Sequence, residues 1–164
     1  MKMKKVILVL VVILGTATLT SCGVSKTNLD SPQPKTKNVS NTIDKNSNYI
    51  KANEWMVTTF NSAKSVIQFS DKDAGIVKGK YIMRVGTVST SPYVASTSDL
   101  YAIITIRTKD NESRIEIVPP TGMYSQKSMG NEYGFTPEMF NNKADVLISE
   151  FETHMLNESK NDNW

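Results

Sequence analysis

The chain has 164 residues, a length that favours one domain, with 39% hydrophobic and 21% charged residues. Its formal charge of +3 belongs to the start: residues 1–21 hold three lysines and no acid, so the remainder keeps 16 of the 19 Lys+Arg against all 16 Asp+Glu. That balance excludes a chain-wide electrostatic attraction for nucleic acid and leaves only local patches, and the single cysteine excludes an internal disulfide.

Lys2, Lys4 and Lys5 precede an unbroken apolar run from Val6 to Leu14, followed by Gly15 and small residues through Ser21. This is the order of a secretory signal peptide, and nine apolar residues are too few to span a bilayer, which takes about 20. Leu19-Thr20-Ser21-Cys22 resembles the lipobox of bacterial lipoproteins, in which the cysteine is acylated and cleavage falls just before it. Residues 1–21 are therefore read as a signal peptide and Cys22 as a lipid attachment site. The membrane becomes the first expected partner, with the protein exported and anchored in the cell envelope, on the periplasmic or surface side of the outer membrane. Two or more acyl chains, at about 0.8 kcal/mol per buried CH₂, give stable anchoring.

From Gly23 to Asn48 the chain is nearly all Ser, Thr, Asn, Lys, Pro and Asp, with Val24, Leu29, Val39 and Ile43 its aliphatic residues. Too little apolar surface is present to offset ordering entropy, so residues 22–48 read as a flexible polar tether with a reach of about 25–30 Å. The domain is expected over 49–157, with 158–164 a disordered tail. Its first helix runs from Tyr49, with Ala52, Trp55, Met56, Phe60, Ala63 and Ile67 on one face. The polar run Ser70 to Gly75 is a turn. A strand follows over Ile76 to Val85, its odd positions Val77, Gly79, Tyr81, Met83 and Val85 inward. Gly86 to Ser98 is a Ser/Thr-rich surface loop. Leu100 to Thr108 and Arg114 to Val118 alternate again, with Leu100, Ala102, Ile104, Ile106, Ile115 and Ile117 inward, joined by a polar five-residue connector. Pro119-Pro120 ends the third strand.

Residues 119–135 carry Met123, Tyr124, Met129, Tyr133 and Phe135, too many large apolar groups for a solvated loop. Either a short strand lies around Gly122 to Ser128 or the segment packs across the fold. A second helix starts at Thr136 as N-cap with Pro137 in its first turn, and Phe135 and Phe140 are spaced as a hydrophobic staple. Phe140, Ala144, Leu147, Ile148, Phe151 and Met155 then form an apolar stripe.

Trp55, the run Phe60 to Ile67, the run Asp71 to Lys80, and the Tyr101 to Ile117 hairpin with Lys109-Asp110-Asn111 at its tip resemble a domain family of unknown function. That family occurs in exported lipoproteins of diderm gut anaerobes and has a TATA-binding-protein-like (TBP-like) fold. The resemblance covers roughly residues 49–157. It implies an α+β domain, a curved antiparallel sheet of three to five strands with two helices packed on one face, and it brings no catalytic residues. Such domains usually carry an apolar strand before the first helix; here only Val39 and Ile43 could supply one, so the sheet either lacks it or borrows one from a partner.

Short chemical patterns do not survive inspection. Asp71-Lys72-Asp73-Ala74-Gly75 starts like a calcium loop, but its glycine comes one position early and position twelve is Ile82. Gly75 to Lys80 is one residue short of a phosphate loop and lies in a strand. Ser62 and Lys64 are two apart and do not share a helical face, and His154, the one histidine, reads as a helix-end cation. No cofactor and no metal is implied. One constellation stands out. Strand alternation gathers Lys78, Lys80, Arg84, Arg107 and Arg114 on the outward face, with Tyr101 among them and Glu116 the one acid. The expectation is a non-catalytic binding or assembly domain with an anionic ligand or protein partner and no nucleic acid. The alternatives are an envelope hydrolase using the carboxylates of Asp71 and Asp73, or a structural subunit completed by a partner's strand.

Overall fold

The computed structural model describes residues 25–62, 65–90, 96–128 and 131–157. Residues 1–24, where a signal peptide and Cys22 are expected, together with Ala63, Lys64, Met129 and the expected tail 158–164, lie outside the described residues.

Five antiparallel strands form the main sheet in the order β2 (Lys35–Ser40), β6 (Glu112–Val118), β5 (Leu100–Lys109), β4 (Ile76–Arg84), β3 (Val66–Asp71). Two helices, α1 (Lys45–Thr59) and α2 (Pro137–Leu156), pack on one face of it. A second sheet, β1 (Ser25–Asn28), β7 (Tyr124–Ser128) and β8 (Asn131–Phe135), stands apart from the first. The architecture is α+β.

The inward alternation of the central strands holds throughout β5 and β6 and, in β4, as far as its end. Val77, Met83, Leu100, Ala102, Ile104, Ile106, Ile115 and Ile117 are all buried, and from the helices Ala52, Trp55, Met56, Phe140, Ala144, Leu147, Phe151 and Met155 meet them. Val85 lies beyond the strand and is exposed. Trp55 and Phe151 join the two helices edge to face, with ring centroids 5.3 Å apart. The second helix starts as its sequence indicates: the Thr136 hydroxyl accepts the Met139 N–H, and Pro137 follows. The open choice over 119–135 resolves to a β7–β8 hairpin, with Met123, Tyr124 and Phe135 buried.

Three expectations are corrected. Residues 25–48 are not a flexible tether. Ser25–Asn28 pairs with β7, and Lys35–Ser40 pairs with β6 from Lys35↔Ile117 to Ser40↔Glu112. The strand before the first helix therefore comes from this chain rather than from a partner. Its inward positions are Lys35, Lys37 and Val39, so the apolar alternation that announces a strand is missing. The two lysine stems run over the core rim and their heads reach Asp145 at 2.5 Å and Glu152 at 3.1 Å on α2.

The first helix also begins earlier and stops sooner than its apolar spacing indicates. Asp44 is the N-cap, accepting from Ser47 N–H at 3.0 Å and from its hydroxyl at 2.7 Å, and these bonds hold its carboxyl below the usual range. The helix ends at Phe60, and Ile67 belongs to β3. The seven-residue step from Phe60 to Ile67 mimics a helical repeat, while Val66, Ile67 and Phe69 are strand formers. The connector of the central hairpin is two residues rather than five, because pairing runs on to Lys109↔Glu112 and Asn111 takes φ 62.

Buried polar groups fasten these layers. Asn48 donates to the Lys109 carbonyl at 2.9 Å and to the Ile43 carbonyl at 3.2 Å, tying α1 to the hairpin tip, where Asn111 bonds Asn41 and Ile43. Lys51 donates to the carbonyls of Met155, at 3.1 Å, and Asn157, capping the negative end of α2.

Candidate functional site

Antiparallel neighbours directly opposite each other point to the same side of a sheet. The register therefore decides which side chains share the face away from the helices. Lys78 lies opposite Thr105, Lys80 opposite Ile103, and Arg107 opposite Arg114. These four cations share that outer face. Lys78, Arg107 and Arg114 are exposed and make no ion pair among the described residues. Lys80 sits with its Nζ 3.9 Å from the centroid of the Tyr101 ring, a cation–π contact, and Tyr101 donates to Asp99 at 3.0 Å. Arg107 and Arg114 border a hollow of about 250 Å³ together with Asn38, Lys109 and Glu112. Lys109 holds Glu112 at 2.9 Å, and Glu116 lies opposite Thr105.

Two bulges change the composition of this face. In β4 the register shifts between Ile82 and Arg84, so Arg84 lies opposite the inward Leu100. Arg84 is thus not on the outer face with the other cations; the extra residue, Met83, turns it to the core side. Its guanidinium stands 5.2 Å from the Tyr124 ring. In β3 the shift falls between Ile67 and Phe69, and Phe69 comes to lie opposite Lys78 on the outer face, half exposed. Val66 lies opposite Lys80 and is exposed as well. The outer face thus combines five cations, Lys109 included, and the acids Asp71, Glu112 and Glu116 with Phe69, Val66 and Tyr101. Strand alternation alone places Arg84 on the wrong side, Phe69 falls in a stretch not read as strand, and no sequence signal marks either bulge.

The other candidate groups have structural partners. Asp71 Oδ1 accepts the Ala74 N–H at 2.9 Å inside its own turn; at Asp73 it is the backbone carbonyl, not the carboxylate, that accepts Lys45 Nζ. Ser65 Oγ accepts the Ile82 N–H at 2.9 Å. His154 Nε2 is 3.1 Å from the Lys51 carbonyl and belongs to the clamp between the helices. It borders a groove of about 640 Å³ with Trp55, Tyr81 and Glu150, where burial first and the Glu150 charge second push the Tyr81 phenol up. Among the described residues no group of three or more His, Cys, Asp or Glu is placed to hold a metal ion, and no helix is long and apolar enough to cross a membrane.

Fold and topology define a TBP-like α+β domain. A family described as a domain of unknown function (DUF4468) with TBP-like fold matches residues 36–120, just over half of the chain, and the chain belongs to that family. Two solved structures are similar. A DUF4468 family protein from Bacteroides ovatus superposes with a TM-score of 0.51 at 13% identity, covering 88% of this chain and 96% of that one. A TBP-like protein from Parabacteroides distasonis superposes with a TM-score of 0.52 at 14% identity, covering 77% of this chain and 94% of that one. At such identities the likeness concerns the fold alone. No curated protein matches the chain.

Proposed function

We propose that this is a lipid-anchored envelope protein whose α+β domain is a non-catalytic binding module, taking an anionic ligand on the outer face of its five-stranded sheet. The observation that carries the reading is Arg107 directly opposite Arg114, both exposed and without an ion pair among the described residues. Like charges directly opposite each other in an antiparallel pair destabilise it. Lys78 and Lys80 follow on the next strand, about 6.8 Å apart, within a Debye length of about 8 Å at physiological salt. An anion relieves that repulsion, and an arginine fork receives carboxylate, sulfate or phosphate oxygens in pairs. Phe69 and Val66 beside the lysines add apolar contact for the body of a ligand. The sequence of residues 1–22 supports export and anchoring. The turn carboxylates of Asp71 and Asp73 have no chemical role in this reading.

The test is titration with heparin, as a glycan, and separately with anionic vesicles, as a source of head groups, at low and at high salt. Binding is expected at low salt, falling as salt rises, and the pair Lys80→Glu with Arg107→Glu should weaken it by roughly tenfold or more at an unchanged melting temperature. A flat titration at low salt, or full binding by the charge-reversed variant, overturns the assignment.

A further inference from the structure

The bulge that removes Arg84 from the outer face delivers it to a second place. A pocket of about 620 Å³ opens at the start of α2, between the end of β4 and strand β8. Its wall is made by Met83, Tyr133, Phe135 and Met139, and its charged groups are Arg84 and Lys143. Two cations line it and, among the described residues, no acid does. The volume falls within the range of small-molecule sites, which are mostly apolar with a few convergent polar groups.

Neither cation is neutralised among the described residues. Arg84 makes no ion pair, and its Nη1 is buried without a hydrogen-bond partner. Its contact is the face of Tyr124, which also receives Lys26 Nζ at 4.8 Å, so a third cation shares that ring. Lys143 donates to the Met83 carbonyl at 2.9 Å and lies 5.5 Å from the Tyr81 ring centroid. Burial pulls its ammonium below the usual lysine range by removing its hydration. The amino end of α2, a helix of 20 residues, adds positive potential at the same mouth. A half-buried guanidinium without a carboxylate among the described residues is costlier than the exposed, unpaired Lys78, Arg107 and Arg114, which keep their hydration.

We infer that this pocket is a binding site for an organic monocarboxylate with an apolar or aromatic body, its carboxylate held between Arg84 and Lys143 and its body against Met83, Phe135 and Met139. The paired positive charges suit a carboxylate, and the apolar wall selects against a bare inorganic anion. The site is separate from the outer sheet face, so either assignment can fail without the other.

The experiment uses the full chain in detergent, titrated by calorimetry with 3-phenylpropanoate, its neutral amide 3-phenylpropanamide, and inorganic phosphate. The acid should bind at least tenfold more tightly than the amide and than phosphate. Lys143→Met and Arg84→Gln should each weaken the acid at least tenfold and leave the amide unchanged. In the unsubstituted protein, where folding is not in question, the Lys143 ammonium should titrate at higher pH once the acid is bound, since the carboxylate stabilises its charged form. Equal binding of acid and amide, phosphate binding as tight as the acid, no detectable acid binding, or an unmoved Lys143 titration each overturns the inference.

Discussion

Gly79 has no side chain because two others occupy its space. A Cβ built there meets Phe60 Cε2 at 2.3 Å and Met56 Cε at 2.7 Å, so the end of α1 rests directly on the backbone of β4. Gly79→Ala should therefore destabilise by about 1–3 kcal/mol, as overpacking does, even though alanine is the better strand residue. Denaturant midpoints measure it, and the cost should shrink in a Phe60→Leu background where the ring is gone. A neutral Gly79→Ala variant would mean that α1 is not seated as described. The residues of the clamp between the helices, Lys51 and His154, were visible in the sequence only as an ordinary lysine and a helix-end cation. Each bonds the backbone of the other helix or its cap, 103 to 106 residues away in the chain, and no local pattern carries that.

At the scale of elements, legibility followed how much of a strand or helix faces the core. β4, β5 and β6 put an apolar residue at nearly every inward position, so their alternation named the core face correctly. α2 has both a clean cap and a continuous stripe, and its start was legible to the residue. β2 failed the same test because two of its three inward residues are lysines whose charged ends reach α2. Its contribution is still structural: Val39 is buried at 2% exposure and six residue pairs join it to β6. A chain beginning at Ile43 loses those pairs, exposes Ile115 and Ile117 at a new sheet edge, and should melt lower by about 4 °C or more for each kcal/mol lost. Burial of Val39 alone is worth about 1.5–3 kcal/mol. An unchanged melting temperature would show that β2 is dispensable. The outer face was half legible: Lys78, Lys80, Arg107 and Arg114 were placed by alternation, Arg84 was misplaced by a one-residue insertion in the ladder, and Phe69 was not foreseen because β3 was read as helix and turn.

For the whole molecule, the start of β1 at Ser25 changes what an anchor at Cys22 implies. Three peptide steps separate the two, at most about 10 Å of extended chain. Under the lipoprotein proposal the domain is then held against the membrane surface instead of being stood off from it. Cys22→Ser should leave the protein exported but release it from the membrane fraction into the aqueous phase on detergent partitioning. Quantitative partition of that variant into detergent would mean that another element anchors it.

By itself the sequence determined the α+β class, the three central strands, the second helix and the family resemblance. Each of these is encoded locally, by a periodicity of two or 3.6, a cap, or a short motif. Tertiary structure alone decided that a polar segment becomes an edge strand, where the first helix ends, and which cations share a face. Those outcomes depend on partners distant in the chain, on a carboxylate across the core or a ring packed over a glycine. Above all they depend on two ladder insertions, each of which reverses the side on which every later residue of its strand points.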